Sequence, residues 1–342
     1  MSSKHIAVIT PGFAKDEADT DCIPVLQHFV LELQNQGYLV TVIALHYPYR
    51  KETYTWNSIQ VVALNGANSR FKRQFTLYGQ LKKAIINIHQ QRPISVIHPF
   101  WLNETTYFSA RIAKKLAIPI VATALGQDVL PENRYLKPIS TFNLLVFCIS
   151  DFHLQQLNKT YFPLAKSINL GTTKSSVMTK TIDIVGVGSF IPLKNYSYFI
   201  RVCAEIKTTR PDFTAVIVGS GSELKLLQSL IQELRLEKNI QLVGQLPYLT
   251  TLNYIGSARV LMHASSFEGM GMILLEALAH GTHVLSSPVG FAMNAPEIEK
   301  LSFDLKADGK KLLELLDAPT PVPIFHSIST TIEAYNAIYA GL

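Results

Sequence analysis

Apolar positions along this chain fall into two alternating rhythms. Short apolar runs at Ile6–Ile9, Leu39–Leu45, Ile59–Leu64, Ser95–His98, Ile118–Thr123 and Leu144–Ile149 have the length of buried strands. Between them apolar residues recur at helical spacing. Residues 22–36 put Leu26, Phe29, Val30 and Leu33 on one face and stop at Gly37, and further helices are predicted near 73–91 and 103–116. Strands that alternate with helices in this way predict a parallel sheet covered on both faces.

The rhythm restarts after a polar stretch at Gly171–Lys180. Strands are predicted at Ile182–Val187, Phe213–Val218, Ile240–Val243, Val260–His263 and His283–Leu285, with helices near 195–208, 222–236, 248–257 and 271–280. The reading is an α/β chain of two doubly wound, Rossmann-like domains facing a central cleft. The first spans 1–171 and the second 172–325. Residues 326–342 form a terminal helix with Ile328, Ile332, Tyr335, Ile338 and Tyr339 as its apolar positions, packing back toward the first domain. Ligands of such sheets bind beyond the carboxyl ends of the strands.

Composition narrows the class. A chain of 342 residues exceeds one ordinary core, and 48% apolar with only 16% charged residues describes a well-packed protein. No apolar run is long enough for a spanning helix, and the first residues lack the layout of a signal peptide. Cys22, Cys148 and Cys203 have no paired spacing, which argues against a zinc site or a disulfide framework and fits a reducing, cytoplasmic setting. The net charge of +6 is unevenly spread: no acidic residue lies between Glu52 and Glu104, a stretch that holds Arg70, Lys72, Arg73, Lys82, Lys83 and Arg92.

Candidate chemistry falls in the loops after strands. Gly186-Val-Gly-Ser-Phe-Ile-Pro-Leu-Lys-Asn195 brings Lys194 near a helix start, where its charge and the free amides favour a phosphate. Gly219-Ser-Gly-Ser-Glu223 follows the next strand and suits a second anion cradle, although tight strand-to-helix turns explain either segment taken alone. Neither matches the dinucleotide fingerprint, which disfavours a dehydrogenase. Two glutamates stand eight positions apart, Glu268 in a glycine-punctuated turn and Glu276 inside an otherwise apolar helix. A carboxylate among Ile273, Leu274, Leu275, Ala277 and Leu278 is costly to bury without hydrogen-bond donors. Two such acceptors suit a ligand with many hydroxyls and a diphosphate, a nucleotide sugar.

With these blocks in order, residues 182–290 resemble the donor-binding domain of retaining GT-B glycosyltransferases of glycosyltransferase family 4. The blocks are the turn at 187–195, Val218-Gly-Ser-Gly-Ser-Glu223, Ile240-Gln-Leu-Val-Gly244, Ser265–Gly281 with its glutamate pair, and Val284-Leu-Ser-Ser287. The first half resembles the family's acceptor domain more loosely, through His98-Pro-Phe-Trp101 and Thr123-Ala-Leu-Gly-Gln-Asp128. The resemblance implies transfer of a sugar from a nucleotide-sugar donor to a glycan or lipid-linked acceptor with retention, as in polysaccharide or glycolipid biosynthesis, without a metal or resident cofactor. It assigns Glu268 and Lys194 to catalysis. It assigns Gly188, Ser189, Lys194, Gly219, Gly221, Glu223, Glu268, Gly269, Met270, Gly271 and Glu276 to the donor, with Glu276 on the ribose and the amides of 269–271 on the sugar.

Departures keep other readings open. Ser189 stands where the family usually has an arginine beside the diphosphate, and Leu125 where it often has a histidine before Gly126. A catalytically weakened sugar-nucleotide-binding protein and a GT-B-shaped epimerase are the alternatives; a phosphorylase lacks its lysine motif here. Acceptor candidates are Gly12, His98, Trp101, Gly126 and Asp128. A structural histidine explains His98, and a loop cap explains Asp128, equally well. The basic stretch 70–83, with Phe71, Phe75, Leu77, Tyr78 and Leu81 interleaved, reads either as an ordinary half-buried helix or as a peripheral contact with an anionic membrane at its inner face. No nucleic-acid-binding module is found.

Overall fold

The computed structural model describes residues 4–173 and 175–342, with only the backbone of Arg73 and Gln74. The chain forms two compact units, one of residues 1–171 with 328–342 and one of residues 172–327.

In the first unit, β1 (His5–Gly12), β2 (Leu39–Tyr47), β3 (Lys51–Trp56), β4 (Ile59–Leu64) and β5 (Val96–Pro99) pair in the order β3-β4-β2-β1-β5. All pairs are parallel except β3 on β4. Bridges Ile97–Ile120 and Phe100–Thr123 carry the sheet on to β6 (Val121–Thr123), then β7 (Leu145–Cys148) and β8 (Lys166–Ser167). The helices are α1 (Pro24–Asn35), α2 (Arg70–Phe75), α3 (Leu77–Gln91), α4 (Glu104–Leu116), α5 (Leu136–Ile139) and α6 (Asp151–Gln156). The single helix expected at 73–91 is two, because Thr76 leaves helical geometry between α2 and α3. Helix α4 starts where Asn103 accepts the amide of Thr105, and ends at Ala117 in the left-handed conformation. One sheet face buries Ala7, Ile9, Ile43 and Leu45 against Leu81 and Ile85 of α3 and Ile112 of α4.

The second unit holds β9 (Ile182–Val187), β10 (Ala215–Val218), β11 (Ile240–Gly244), β12 (Ala258–His263), β13 (His283–Ser286) and β14 (Glu299–Lys300), with α7 (Tyr196–Ile206), α8 (Leu224–Glu233), α9 (Tyr248–Ser257), α10 (Met272–Ala279) and α11 (Leu305–Asp317). Its strands are all parallel in the order β11-β10-β9-β12-β13-β14. Alternate residues enter different cores. Ile184, Val260 and Met262 face one side with Phe199 and Leu227, while Val185 and Leu261 face the other with Ile255, Leu274 and Ala277. This is the Rossmann strand order, and its crevice lies between β9 and β12, from which the chain winds in opposite directions.

The terminal helix α12 (Ile328–Ala340) belongs to the first unit. Tyr335 and Tyr339 are fully buried there, and Tyr335 lies edge-on to Phe29 of α1 with ring centroids 5.4 Å apart. Among the described residues no helix is long and apolar enough to cross a membrane.

Candidate functional site

The crevice between β9 and β12 receives the two loops that carry Lys194 and Glu268. Ser266 ties them together: its amide donates to the Leu193 carbonyl at 2.8 Å. Lys194 ends a short 3-10 turn, Pro192–Lys194, and its side chain runs over Gly188, where a Cβ would meet Lys194 Cε at 3.4 Å and the Tyr196 hydroxyl at 3.1 Å. From there the ammonium donates to Oε1 of Glu268. The same oxygen lies 3.0 Å from Nε2 of His263, the last residue of β12, whose Nδ1 is 3.1 Å from Ser286 Oγ. Burial pushes the Glu268 carboxyl up, but the bond from His263 and the charge of Lys194 outweigh it and hold the group down at about 2. Glu268 is therefore a fixed anion, braced by one cation and one imidazole.

Glu276 sits in the middle of α10, partly buried on a helix whose neighbours Leu274, Leu275, Ala277 and Leu278 are buried. Its Oε1 accepts the hydroxyl of Tyr248, the first residue of α9, at 2.9 Å. Burial pushes the Glu276 carboxyl up to about 7, against the opposing pull of the Tyr248 bond. The two carboxylates thus differ in kind, one locked as an anion and one poised near neutrality.

The glycine loops serve the protein itself. Gly188, Gly219 and Gly221 have φ of 149°, 153° and 158°. A Cβ on Gly219 would lie 1.9 Å from the Gly188 carbonyl oxygen, and one on Gly221 would lie 2.4 Å from that of Phe190. The loops interlock through Gly188 N–H to Val218 O at 3.0 Å, Phe190 N–H to Ser220 O at 2.8 Å and Glu223 N–H to Phe190 O at 2.9 Å. At Gly219 and Gly221 it is backbone that takes up the space a side chain would need. Ser189 is exposed on the first loop and adds no charge beside Lys194.

At the start of α10, Gly271 is left-handed with φ 78°. Gly269 and Met270 are buried, and the Met270 carbonyl accepts the Phe291 amide at 2.8 Å. Met270 is 2% exposed, so its side chain belongs to the interior.

Residues 18–148 match the glycosyl transferase 4-like family and residues 173–297 match the glycosyl transferases group 1 family. The two matches together take in most of the chain. The chain carries a group 1 glycosyltransferase domain after a glycosyl transferase 4-like domain. A relative from Campylobacter jejuni, an N-acetylgalactosamine-N,N'-diacetylbacillosaminyl-diphospho-undecaprenol 4-alpha-N-acetylgalactosaminyltransferase, is 37% identical over 183 residues, which is 45% of this chain and 48% of that protein. The phosphatidylinositol N-acetylglucosaminyltransferase GPI3 subunit of Saccharomyces cerevisiae is 26% identical over 148 residues, 43% of this chain. The match covers only 32% of the yeast protein. Among solved structures, sucrose-phosphate synthase from Thermosynechococcus elongatus superposes with a TM-score of 0.72 at 18% identity, covering 99% of this chain and 100% of that one. The shared fold is GT-B.

Among the acceptor candidates in the first unit, His98 and Gly12 need correction. His98 is fully buried. Its Nδ1 lies 2.5 Å from the Tyr339 hydroxyl, its Nε2 2.8 Å from Thr123 Oγ1, and its ring stacks on Phe100 at 4.4 Å. Burial drives it down to about 3, so it is a neutral core residue and not an acceptor contact. Gly12 is buried as well; a Cβ there would meet Tyr47 Cβ at 3.4 Å and Cys22 Sγ at 3.5 Å. Asp128 works as a loop clamp, accepting the amides of Gly126 at 2.6 Å, Leu102 at 2.7 Å and Leu125 at 3.3 Å. It also lines a cavity of about 610 Å³ with Asn103, Gln127, Leu130, Glu132, Asn133, Arg134 and Tyr135. Trp101 keeps a candidate position: it is partly exposed beyond β5, held at φ 68°, and its indole nitrogen would come 4.0 Å from a Cβ on Gly126.

His263 and Tyr248 are the site residues that sequence reasoning missed. A signal existed for His263, the terminal residue of a strand whose next loop carries Glu268. Tyr248 gave none, since its partner lies 28 residues away on another helix.

Proposed function

We propose that this chain transfers a sugar from a nucleotide sugar to a lipid-linked or glycan acceptor, with retention of configuration and with no resident cofactor or metal. The observation that carries the donor half is the Lys194–Glu268–His263 cluster at the crevice of one Rossmann-like sheet, with the poised carboxyl of Glu276 on the helix that follows the same loop. Glu276 would accept the ribose hydroxyls, which bring the donors that an apolar helix withholds. An ammonium has three N–H groups, so Lys194 bonded to Glu268 keeps capacity for the oxygens of a departing diphosphate. Positive charge where negative charge develops lowers the barrier to bond cleavage.

The acceptor half rests on different support. The names of the yeast and Campylobacter relatives specify phosphatidylinositol and diphospho-undecaprenol, both lipids. Phe71 and Phe75 of α2 are each 65% exposed, with ring centroids 4.9 Å apart. Exposed aromatics in a stretch that also holds Arg70, Lys82 and Lys83 suit a surface that binds peripherally to an anionic membrane. Arg73, counted in that basic stretch, has its side chain outside the described residues. We assign the acceptor's polar part to the cavity walled by Asp128, Asn133 and Tyr135, with Trp101 nearby.

A second reading, a binding protein with weakened catalysis, draws on exposed, uncharged Ser189. One experiment addresses both. Nucleotides and nucleotide sugars are screened for thermal stabilisation of the wild type and of Glu276→Ala. The proposal expects stabilisation that rises with ligand and is lost in the variant, together with slow hydrolysis of the donor. Stabilisation without any hydrolysis or transfer favours the binding protein, and no stabilisation by any nucleotide rejects the donor site.

A further inference from the structure

We propose that Tyr248 is a positioning residue for ribose recognition, holding Glu276 in place through its hydroxyl and favouring the carboxylate over the acid. The proposal rests on the donor-site reading of Glu276. Its geometry is specific. Tyr248 opens α9 directly after Pro247, so its Cα is fixed at a helix start, and the phenol spans to α10 to meet Oε1 of Glu276 at 2.9 Å. Helices α9 and α10 share one apolar core, in which Ile255 packs with Leu274, Ala277 and Leu278. The distance between the two Cα positions is therefore set by packing, and the hydroxyl can hold one carboxylate rotamer.

A carboxylate has about four acceptor positions and a vicinal diol brings two donors. One phenol on Oε1 leaves room for both ribose hydroxyls. A phenol that donates to the carboxylate also stabilises the charged form, which is the form the diol needs. Other titratable groups around Glu276 are differently engaged. His280, one turn along, bonds the Glu276 carbonyl through Nδ1 at 2.8 Å, and Lys180 donates to the His280 carbonyl at 3.3 Å and to Thr282 Oγ1 at 2.8 Å. His283 on β13 bonds the Pro319 carbonyl at 3.0 Å, Tyr254 on α9 packs into the apolar core, and Glu268 with Lys194 form their own pair in the loop before α10. Of these side chains, Tyr248 is the one that meets the Glu276 carboxylate.

The test has two arms. In the first, the carboxyl carbon of Glu276 is followed by NMR from pH 5 to 9 in ligand-free wild type and Tyr248→Phe, with Glu276→Gln to assign the signal. The expected result is a midpoint that moves up in Tyr248→Phe by roughly half a pH unit or more. In the second arm, UDP and GDP binding is titrated over the same range. Tyr248→Phe should weaken the tighter nucleotide about 3- to 10-fold near pH 6.5, with the gap narrowing above pH 8.5, where Glu276 is ionised in both proteins and only the lost positioning remains. An unmoved or lowered midpoint, or a loss of affinity equal at every pH, overturns the assignment. If the wild type binds neither nucleotide, the donor reading fails and the role toward ribose fails with it. If the wild type binds and the variant's profile is unchanged, only the assignment of Tyr248 fails.

Discussion

Nε2 of His263 lies 3.0 Å from the oxygen of Glu268 that also receives the ammonium of Lys194. The arrangement ties the loop after β12 to the loop after β9, since Glu268 accepts from two elements at once. Breaking one of two charge-assisted bonds should loosen the carboxylate and let Lys194 draw it away from the proposed sugar position. We expect His263→Ala to lower donor turnover about 10- to 100-fold, the equivalent of losing a charged hydrogen bond. Initial rates of donor hydrolysis or transfer check this. The acid limb of stability gives a second readout. A carboxylate held down at about 2 stabilises the fold fully above its unfolded value, and that contribution is lost as pH falls toward 2. Without His263 the total loss should be smaller and complete at higher pH, as measured by denaturant midpoints between pH 5 and 2.

Glu276 carries the opposite sign. Burial pushes its carboxyl up to about 7, so the folded protein holds this proton more tightly than the unfolded chain does. Its stabilising contribution is full below the ordinary carboxylate range and is lost as pH rises through about 7. Glu276→Gln should therefore raise the stability of the ligand-free protein at pH 8, by about 1 to 3 kcal/mol, with little change at pH 5. Stabilisation by a nucleotide should fall at the same time. Parallel thermal melts at pH 5 and 8, with and without UDP or GDP, check both halves. A variant destabilised at pH 8 would show that Tyr248 outweighs burial at this carboxylate.

These two glutamates also mark how far the sequence could be read. Their spacing, and the apolar flanks of Glu276, by themselves point to a polyhydroxyl ligand. The strand–helix alternation and its restart near residue 172 were visible because buried parallel strands read as continuous apolar runs. Strand β3 was missed for the converse reason: Lys51, Glu52 and Thr53 are exposed on an edge. Its two-residue turn at Asn57 and Ser58, with φ of 44° and 65°, lacks the glycine that usually advertises such hairpins. Tyr248 was illegible because its partner lies 28 residues away on another helix, whereas His263 left a signal in its place at the end of the strand before the Glu268 loop. His98 stayed open between a structural and an acceptor role because the groups that bury it include Tyr339, which is 241 residues away.

Exposure of Phe71 and Phe75 leads to a prediction about membranes. Two phenylalanines that insert into the interface contribute in proportion to the apolar area they bury, about 1.5 to 3 kcal/mol each if fully buried. Phe71→Ser with Phe75→Ser should lower binding to vesicles of mixed neutral and anionic lipid by at least 10-fold and leave the melting temperature nearly unchanged, because neither ring is in the core. Lys82→Gln with Lys83→Gln should reduce the salt-sensitive share of the binding. Flotation at low and high salt reads both effects. Wild-type protein that stays with neither neutral nor anionic vesicles would leave α2 with no membrane role.

His98 joins the carboxyl end of β5 to helix α12 through the Tyr339 hydroxyl at 2.5 Å, while its other nitrogen meets Thr123 at 2.8 Å. Thr123 Oγ1 also meets the Tyr335 hydroxyl at 2.7 Å. Replacing His98 by Leu keeps the volume approximately but leaves the Tyr339 hydroxyl buried without this partner, at a cost of about 1 to 3 kcal/mol. The histidine also carries a pH signature. Burial holds it down at about 3, so it stays neutral in the folded protein while the unfolded chain takes up a proton below about 6.5. Its stabilising contribution is present above that value and is lost as pH falls from there toward 3. His98→Leu should therefore be less stable than wild type at pH 8, and the difference should shrink as pH drops to 5. Urea denaturation at the two pH values measures this. KM for the acceptor should be unaltered at a temperature where both proteins are folded. A raised acceptor KM without loss of stability would return His98 to the acceptor site.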